Sequence, residues 1–400
     1  MLDFISSKIL RIFCSRFVNF FYKGNDSHFV SLATDSYKHR EGDAKLVAYY
    51  LPQFHTIPLN DKNFGRGFTE WTNVTKSKPQ YIGHHQPQLP IDVGFYNLSH
   101  DDVMYRQIEL ARQYGIYGFC FHYYWFGKDK RLLEKPIFNW LKNKELDFPF
   151  CLCWANENWS TLWDGGDRNV IMEQKMEADT YQHFMEDILP FMKDERYICV
   201  DGRPMLTIYR PTMFTQEQFV RFVDGLQEEA KKAGFEKGVY IIATNACQKR
   251  GENIRVEEWH VDALSEFPPH GMGHRRKIKY RFLNPLTNML RFDIGHYVRK
   301  GIHQFDYGQK VFKGVFPSWD NTARKVTSKG CIFDKLTPEL YKKWLSDSIE
   351  YTRKHMSADE QFIFINAWNE WAEGAHLEPD QKYGYAYLAA TREALEQNRQ

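Results

Sequence analysis

Residues 362–378 read FIFINAWNEWAEGAHLE, and the rest of the chain is read outward from them. Phe362, Ile363, Phe364 and Ile365 form a short apolar run, the pattern of a buried strand. The chain then turns polar and aromatic at Asn366, Trp368, Asn369, Glu370, Trp371 and Glu373, and Gly374 lets the backbone turn. Two carboxylates three residues apart, just past a buried strand and beside two indoles, suit acid–base chemistry. Glycoside cleavage uses one protonated and one ionised carboxyl beside a surface on which sugar stacks. Apolar rings raise an acid's pKa, and like-charge repulsion splits a pair. The alternative reading is two solvated glutamates at a helix start. Trp368 and Trp371 weigh against it, because large indole surfaces find a buried or binding use.

Upstream, strands are predicted at 45–51 (KLVAYYL), 117–122 (YGFCFH), 149–154 (PFCLCW), 204–209, 239–244, 261–266 and 310–317, with 362–365 as the eighth. Helices are predicted at 101–114, 135–144, 179–192 and 385–397. The first carries an apolar stripe of Met104, Ile108 and Ala111, and Ser99 with Asp102 reads as its capping signal. Thr215 and Gln218 form a capping box before Phe219, Phe222, Leu226 and Ala230. Thr337-Pro338-Glu339 opens a further helix with Leu340, Trp344, Leu345 and Ile349 on one face. Alternating strands and helices imply a parallel sheet, and eight strands imply closure. The fold expected is therefore a (β/α)8 TIM barrel with long βα loops over residues 45–400. An open doubly wound sheet is the alternative, but no GxGxxG opens its first helix. Residues 52–100 show no helical period and carry Gln53, His55, Glu70, Trp71, Asn73, His85 and Gln86. A segment of that length reads as a functional loop or lid. Residues 270–310 read as an insertion.

Residues 1–44 stand apart. The first 23 are apolar and basic at helical spacing, but Lys8, Arg11 and Arg16 interrupt every apolar run, so they do not match a bilayer span. They are read either as an amphipathic helix packed on the barrel or as an interfacial helix on the inner membrane face. Residues 24–44 read as a linker. No signal peptide is expected.

With 53 basic and 51 acidic residues, the chain lacks the basic excess of a nucleic-acid binder. Aromatic residues make up 16% and concentrate in loops, which suits a carbohydrate partner. Seven cysteines, an odd number, with Cys120, Cys151, Cys153 and Cys199 in or beside apolar runs, point to reduced thiols and a cytoplasmic location. Neither a metal site nor a cofactor is expected.

In a barrel, chemistry sits at the carboxyl ends of the strands. Polar aromatic clusters fall there repeatedly: Tyr124 and Trp125 after the second strand, Asn156, Glu157 and Trp159 after the third, Trp319 and Asp320 after the seventh, and the opening stretch after the eighth. Glu157 and Asp320 are read either as substrate-binding or as orienting carboxylates, His85 and His122 either as sugar contacts or as packing residues. Glu70 is read as structural.

The segments YYLPQFH, FTEWTNV, HHQPQLP, YGIYGFCFHYYWF, FPFCLCWANENW, RYICVDGRPML, FPSWDNTAR and AWNEWAEGAHLEPD resemble the WbsX-type glycosyltransferase family, which is similar to glycoside hydrolase family 99, the endo-acting α-mannosidases. The resemblance runs from about residue 45 to 387. It implies a (β/α)8 barrel and a retaining mechanism. Glu370 takes the proton of a sugar 2-OH, which attacks C1 to form a 1,2-anhydro sugar. Glu373 serves as acid to the leaving oxygen and then as base toward the acceptor. The motif reads E-W-A-E, with Ala372 where family 99 often has His. The resemblance also implies that Tyr50, Trp125 and Trp159 face sugar. From the residues alone, a direct carboxylate nucleophile remains open. Three functions stay in view: glycan hydrolysis, sugar transfer in lipopolysaccharide, O-antigen or capsule synthesis with a lipid-linked glycan as partner, and non-catalytic glycan binding. No D-x-D triplet supports a metal-dependent nucleotide-sugar transferase.

Overall fold

In the computed structural model, the described residues are 28–81, 83–161, 169–245, 254–270, 272, 290–325 and 330–399. Eight strands, β1 (Lys45–Tyr50), β2 (Gly118–Gly127), β3 (Phe150–Trp154), β4 (Arg203–Ile208), β5 (Tyr240–Thr244), β6 (Ala263–Ser265), β7 (Val311–Val315) and β8 (Phe362–Ile365), pair in parallel in chain order. The sheet closes because β1 pairs with both neighbours: Val47 lies opposite Gly118 of β2 and opposite Phe364 of β8. The architecture is a (β/α)8 barrel. Its strands are almost wholly buried, since side chains fill the interior and helices cover the outside.

The predicted helices appear as α3 (Asp102–Gln113), α4 (Lys135–Lys142), α5 (Thr180–Met192), α6 (Gln216–Lys232), α8 (Pro338–His355) and α9 (Ala386–Gln397). Thr215 and Gln218 close the capping box of α6, and Thr337 caps α8 through the Leu340 N–H. Asp101, not Ser99, sits at the start of α3, and no side chain caps it. Residues 52–100 are not structureless. They contain α1 (Pro58–Phe64) and α2 (Glu70–Lys76), each two turns long, too short to print a period on the sequence. Of the predicted insertion at 270–310, residues 271 and 273–289 lie outside the described residues; the remainder contains one short α-helix, α7 (Ile294–Arg299), and a 3-10 turn at Ile302–Gln304.

The predicted amphipathic helix at 1–23 lies outside the described residues. Residues 28–44 run along the barrel: the Val30 N–H donates to the Tyr383 carbonyl, Tyr37 is buried under Arg399, and Asp35 pairs with Arg392. Cys120, Cys151 and Cys153 are buried free thiols inside the barrel wall, whereas Cys199 is exposed. Among the described residues no helix is long and apolar enough to cross a membrane.

Candidate active site

Period-two alternation decides which side chains enter the barrel mouth. On β2, His122 and Tyr124 point inward and line a cavity of about 210 Å³, with Leu51, Gln53, Glu157, Trp159, Tyr209, Phe267, Arg324, Glu370 and Glu373 also on its walls. Trp125, one residue on, points outward and packs edge-on against Trp154 and Phe184. The same alternation corrects Tyr50, which packs on Phe119 and Phe121 outside β1 and donates to Gln107 of α3. Its neighbour Tyr49 fills the barrel interior, stacked on His122. Neither Tyr50 nor Trp125 faces the cavity.

Glu370 and Glu373 reach one cavity because the chain turns twice after β8. Gly374 adopts φ +61°, and a Cβ there would lie 3.0 Å from the Asp320 nitrogen, so both conformation and space demand glycine. Asn369 bridges the Leu51 N–H and C=O, tying the β8 loop to the end of β1. Trp368 and Trp371 do not wall the cavity, as the sequence reading had them. Both are fully buried, and their indole N–H groups donate to Glu378 at 3.1 and 2.6 Å. Glu378 also accepts from Gln107 and Tyr96. This carboxyl, missed in the sequence, anchors the turn that presents the glutamate pair.

Burial raises the Glu378 carboxyl from its ordinary value to about 7, although four donors oppose the rise. A folded value above the unfolded one means that this group's stabilisation is full below about pH 4.5 and is lost as pH rises through about 7. We expect unfolding free energy to fall by on the order of 3 kcal/mol over that window from this group. In Glu378→Gln that share of the slope disappears. Urea titrations of both proteins at pH 5 and pH 8 check it.

The cation that unites the cavity is Arg324. It follows Asp320, which is buried and bonded to His84, Gln86 and Thr322. Burial would raise Asp320, but these donors hold its carboxyl below the usual range. Asp320 therefore orients the β7 loop and does not line the cavity; with Trp319 and His85 it borders a separate cleft. From that loop, Arg324 extends Nη2 to Glu370 at 2.6 Å and Nη1 to Glu373 at 2.8 Å, while Nη2 also reaches Glu70 at 3.1 Å. Glu70, read as structural, is the third carboxylate of this cluster. Three carboxylates on one guanidinium leave a net negative charge out of water, which favours retention of a proton. The Glu370 carboxyl is raised well above its ordinary value: burial, Glu373 and Glu70 outweigh Arg324. Arg324 was missed although it ends the quoted segment FPSWDNTAR; the signal was the need of three convergent glutamates for a counter-charge.

Around this cluster, Trp159 meets Tyr124 edge-on at 5.2 Å and donates to Asn60, while Gln53 donates to the Tyr124 hydroxyl. Glu157 lines the cavity and binds Arg210; burial raises its carboxyl, helped by Glu373 and opposed by Arg210. Asn156 lies behind it, its side chain bonded to the Arg210 backbone, so its role is to hold that loop. Burial and the charge of Arg324 lower His122 to about 4, which leaves a neutral imidazole on the cavity wall. Tyr209 and Phe267, absent from the sequence reading, complete the aromatic surface. Polar edges, aromatic faces and paired carboxyls together can grip a sugar ring and move protons at its glycosidic oxygen.

These features define a (β/α)8 protein with a carboxylate-lined, aromatic-walled cavity at the carboxyl ends of its strands. The chain belongs to the Glycosyltransferase WbsX family, whose model matches residues 46–391. It is 39% identical over 355 residues to the protein WxcX of Xanthomonas campestris pv. campestris strain B100, a match covering 88% of this chain and 50% of that protein. WxcX of strain ATCC 33913 matches equally. The chain thus spans about half the length of the curated relatives it matches. Its fold is similar to the GH99 endo-α-mannosidase of Bacteroides thetaiotaomicron, with TM-score 0.54 and 13% identity over 88% of this chain and 96% of that one. It is also similar to a glycoside hydrolase-like protein, with TM-score 0.54 and 13% identity over 93% and 99% of the two chains.

Proposed function

We propose that this enzyme makes or breaks a glycosidic bond with retention, using Glu370 as base and Glu373 as acid and then base. The observation that supports this reading is the shared fork of Arg324: two carboxylates lie on the two arms of one guanidinium, inside one cavity faced with Tyr124, Trp159, Tyr209 and Phe267. In the first step Glu370 takes the 2-OH proton, O2 attacks C1, the C1–O bond breaks, and Glu373 gives its proton to the leaving oxygen. In the second, water or an acceptor hydroxyl loses its proton to Glu373 and opens the 1,2-anhydro ring, while Glu370 returns its proton to O2. One chemistry therefore serves hydrolysis and transfer; the acceptor decides. Membership of a glycosyltransferase family favours transfer, and the fold shared with an endo-α-mannosidase favours a mannan-like glycan; a surface polysaccharide, free or lipid-linked, is the other substrate proposed. A cytoplasmic site touching the inner membrane fits that role.

Two incubations separate the readings. Purified protein with mannan-type or bacterial surface polysaccharide is expected to release oligosaccharides, or to lengthen them when an acceptor glycan is supplied. Transfer that depends strictly on a nucleotide-sugar donor would contradict the anhydro-sugar route. Sugar binding without turnover on any glycan, unchanged in Glu373→Gln, would favour a non-catalytic binding role.

A further inference from the structure

A second cavity, of about 240 Å³, lies between the carboxyl ends of β5 and β6 and the outer layer formed by α7, the segment after it and α8. His270 lines both this cavity and the first. Its walls are aromatic: Tyr297, Phe305, Tyr307 and Trp344. Phe305 keeps 60% of its surface in solvent, an apolar ring held at the rim with its edge against Tyr307 at 4.9 Å.

Two polar groups on its wall, one on Asn245 and one on Tyr297, are left open toward it among the described residues. Asn245 is 8% exposed, and its Oδ1 accepts from the Phe267 N–H at 3.0 Å. Its Nδ2 hydrogen-bonds to nothing among the described residues, and neither does the Tyr297 hydroxyl. Both groups line the cavity, where a ligand hydroxyl would complete their hydrogen bonding. Beside them, Glu266 accepts from Tyr307, Lys313 and the Gly314 N–H, which leaves one acceptor position open. Lys313, the nearby cation, is already committed to that carboxylate and to the His303 and Phe305 carbonyls.

We infer that this cavity is a second saccharide subsite, holding a neutral pyranose of the same glycan that occupies the first. Aromatic faces take the C–H faces of the ring, while a free amide donor, a phenol and an acceptor oxygen take its hydroxyls. A nucleotide is disfavoured, because an anionic pyrophosphate would meet Glu266 with its lysine already engaged. The inference rests on the reading that the first cavity binds glycan. It makes the enzyme a reader of chain length: a ligand long enough to pass His270 gains contacts that a single sugar cannot.

Calorimetric titration on a Glu373→Gln background, which prevents turnover and leaves the second cavity intact, tests this. The probes are methyl α-mannoside, methyl α-glucoside, methyl α-galactoside and linear manno-oligosaccharides of two to six units. We expect the longest to bind at least tenfold more tightly than the monosaccharides. Tyr297→Phe and Phe305→Ala, which remove groups that no described residue depends on for hydrogen bonding, should each erase that gain and leave short-ligand affinity unchanged. No binding by any probe, no gain with length, a gain insensitive to both variants, or UDP or GDP binding there instead would overturn the inference. The two readings fail separately. Glycan turnover lost in Glu373→Gln with a variant-insensitive gain removes only the second subsite. A variant-sensitive gain without turnover in wild type removes only the catalytic reading.

Discussion

Glu370→Gln is expected to lower turnover of the glycan substrate by roughly 10³–10⁴-fold, and Glu373→Gln by a similar factor, each with sugar affinity changed less than tenfold. The amide keeps the shape of the side chain and its hydrogen bond from Arg324 but removes the proton-transferring group. Burial also raises the proton affinity of the Glu370 carboxyl, which strengthens it as a base once ionised. Its titration should appear as one limb of the pH–rate profile: activity rises as pH climbs through its raised value, because the base must be ionised. Glu370→Gln should abolish that limb along with the activity. Steady-state rates and calorimetry on the two variants check the prediction, and wild-type turnover in either would reject the role.

Arg324→Met carries the second large effect. It leaves Glu70, Glu370 and Glu373 together without the guanidinium that now binds all three. Removing one partner of a buried ion pair costs about 3–5 kcal/mol, and here three carboxylates are stranded. The proton affinity of Glu370, already raised by burial, then rises further, since the attraction of Arg324 no longer opposes it. By linkage, groups with folded values above their unfolded ones lose their stabilising contribution as pH rises. The loss relative to wild type should therefore be largest near neutral pH and shrink in acid. Urea unfolding at pH 5 and pH 7.5 reads both the size and the trend. An equal cost at both pH values would show that Arg324 serves packing and not charge.

Much of the fold was legible because local signals agreed. The apolar runs mark all eight strands to within a few residues, and the caps at Thr215 and Thr337 are made by the side chains the sequence offered. The polar turn after Ile365 marked the carboxyl end of the last strand, where the glutamate pair lies. Less legible was which residue of each pair faces inward. Strands of a parallel barrel are buried on both faces, so Tyr49 and Tyr50, or Tyr124 and Trp125, carry no hydrophobic contrast to distinguish them. Only the register with neighbouring strands settles that Tyr124 meets the cavity and Trp125 the helix layer. The indoles of Trp368 and Trp371 were misassigned for a related reason. A tryptophan beside a glutamate looks like a sugar platform until its N–H partner is known, and that partner, Glu378, sits in the same run without any local mark of burial. Arg324 and Glu70 are 254 residues apart, and such a pairing is a property of the closed barrel, not of either segment.

That two carboxyls act together on one glycosidic bond is tested most directly by the double variant Glu370→Gln/Glu373→Gln. Residues that serve a single step are not additive, so the double variant should turn over substrate about as slowly as the slower single variant. Losses that multiply, with the double variant slower by the product of the two single factors, would show two independent contributions and contradict a shared reaction centre.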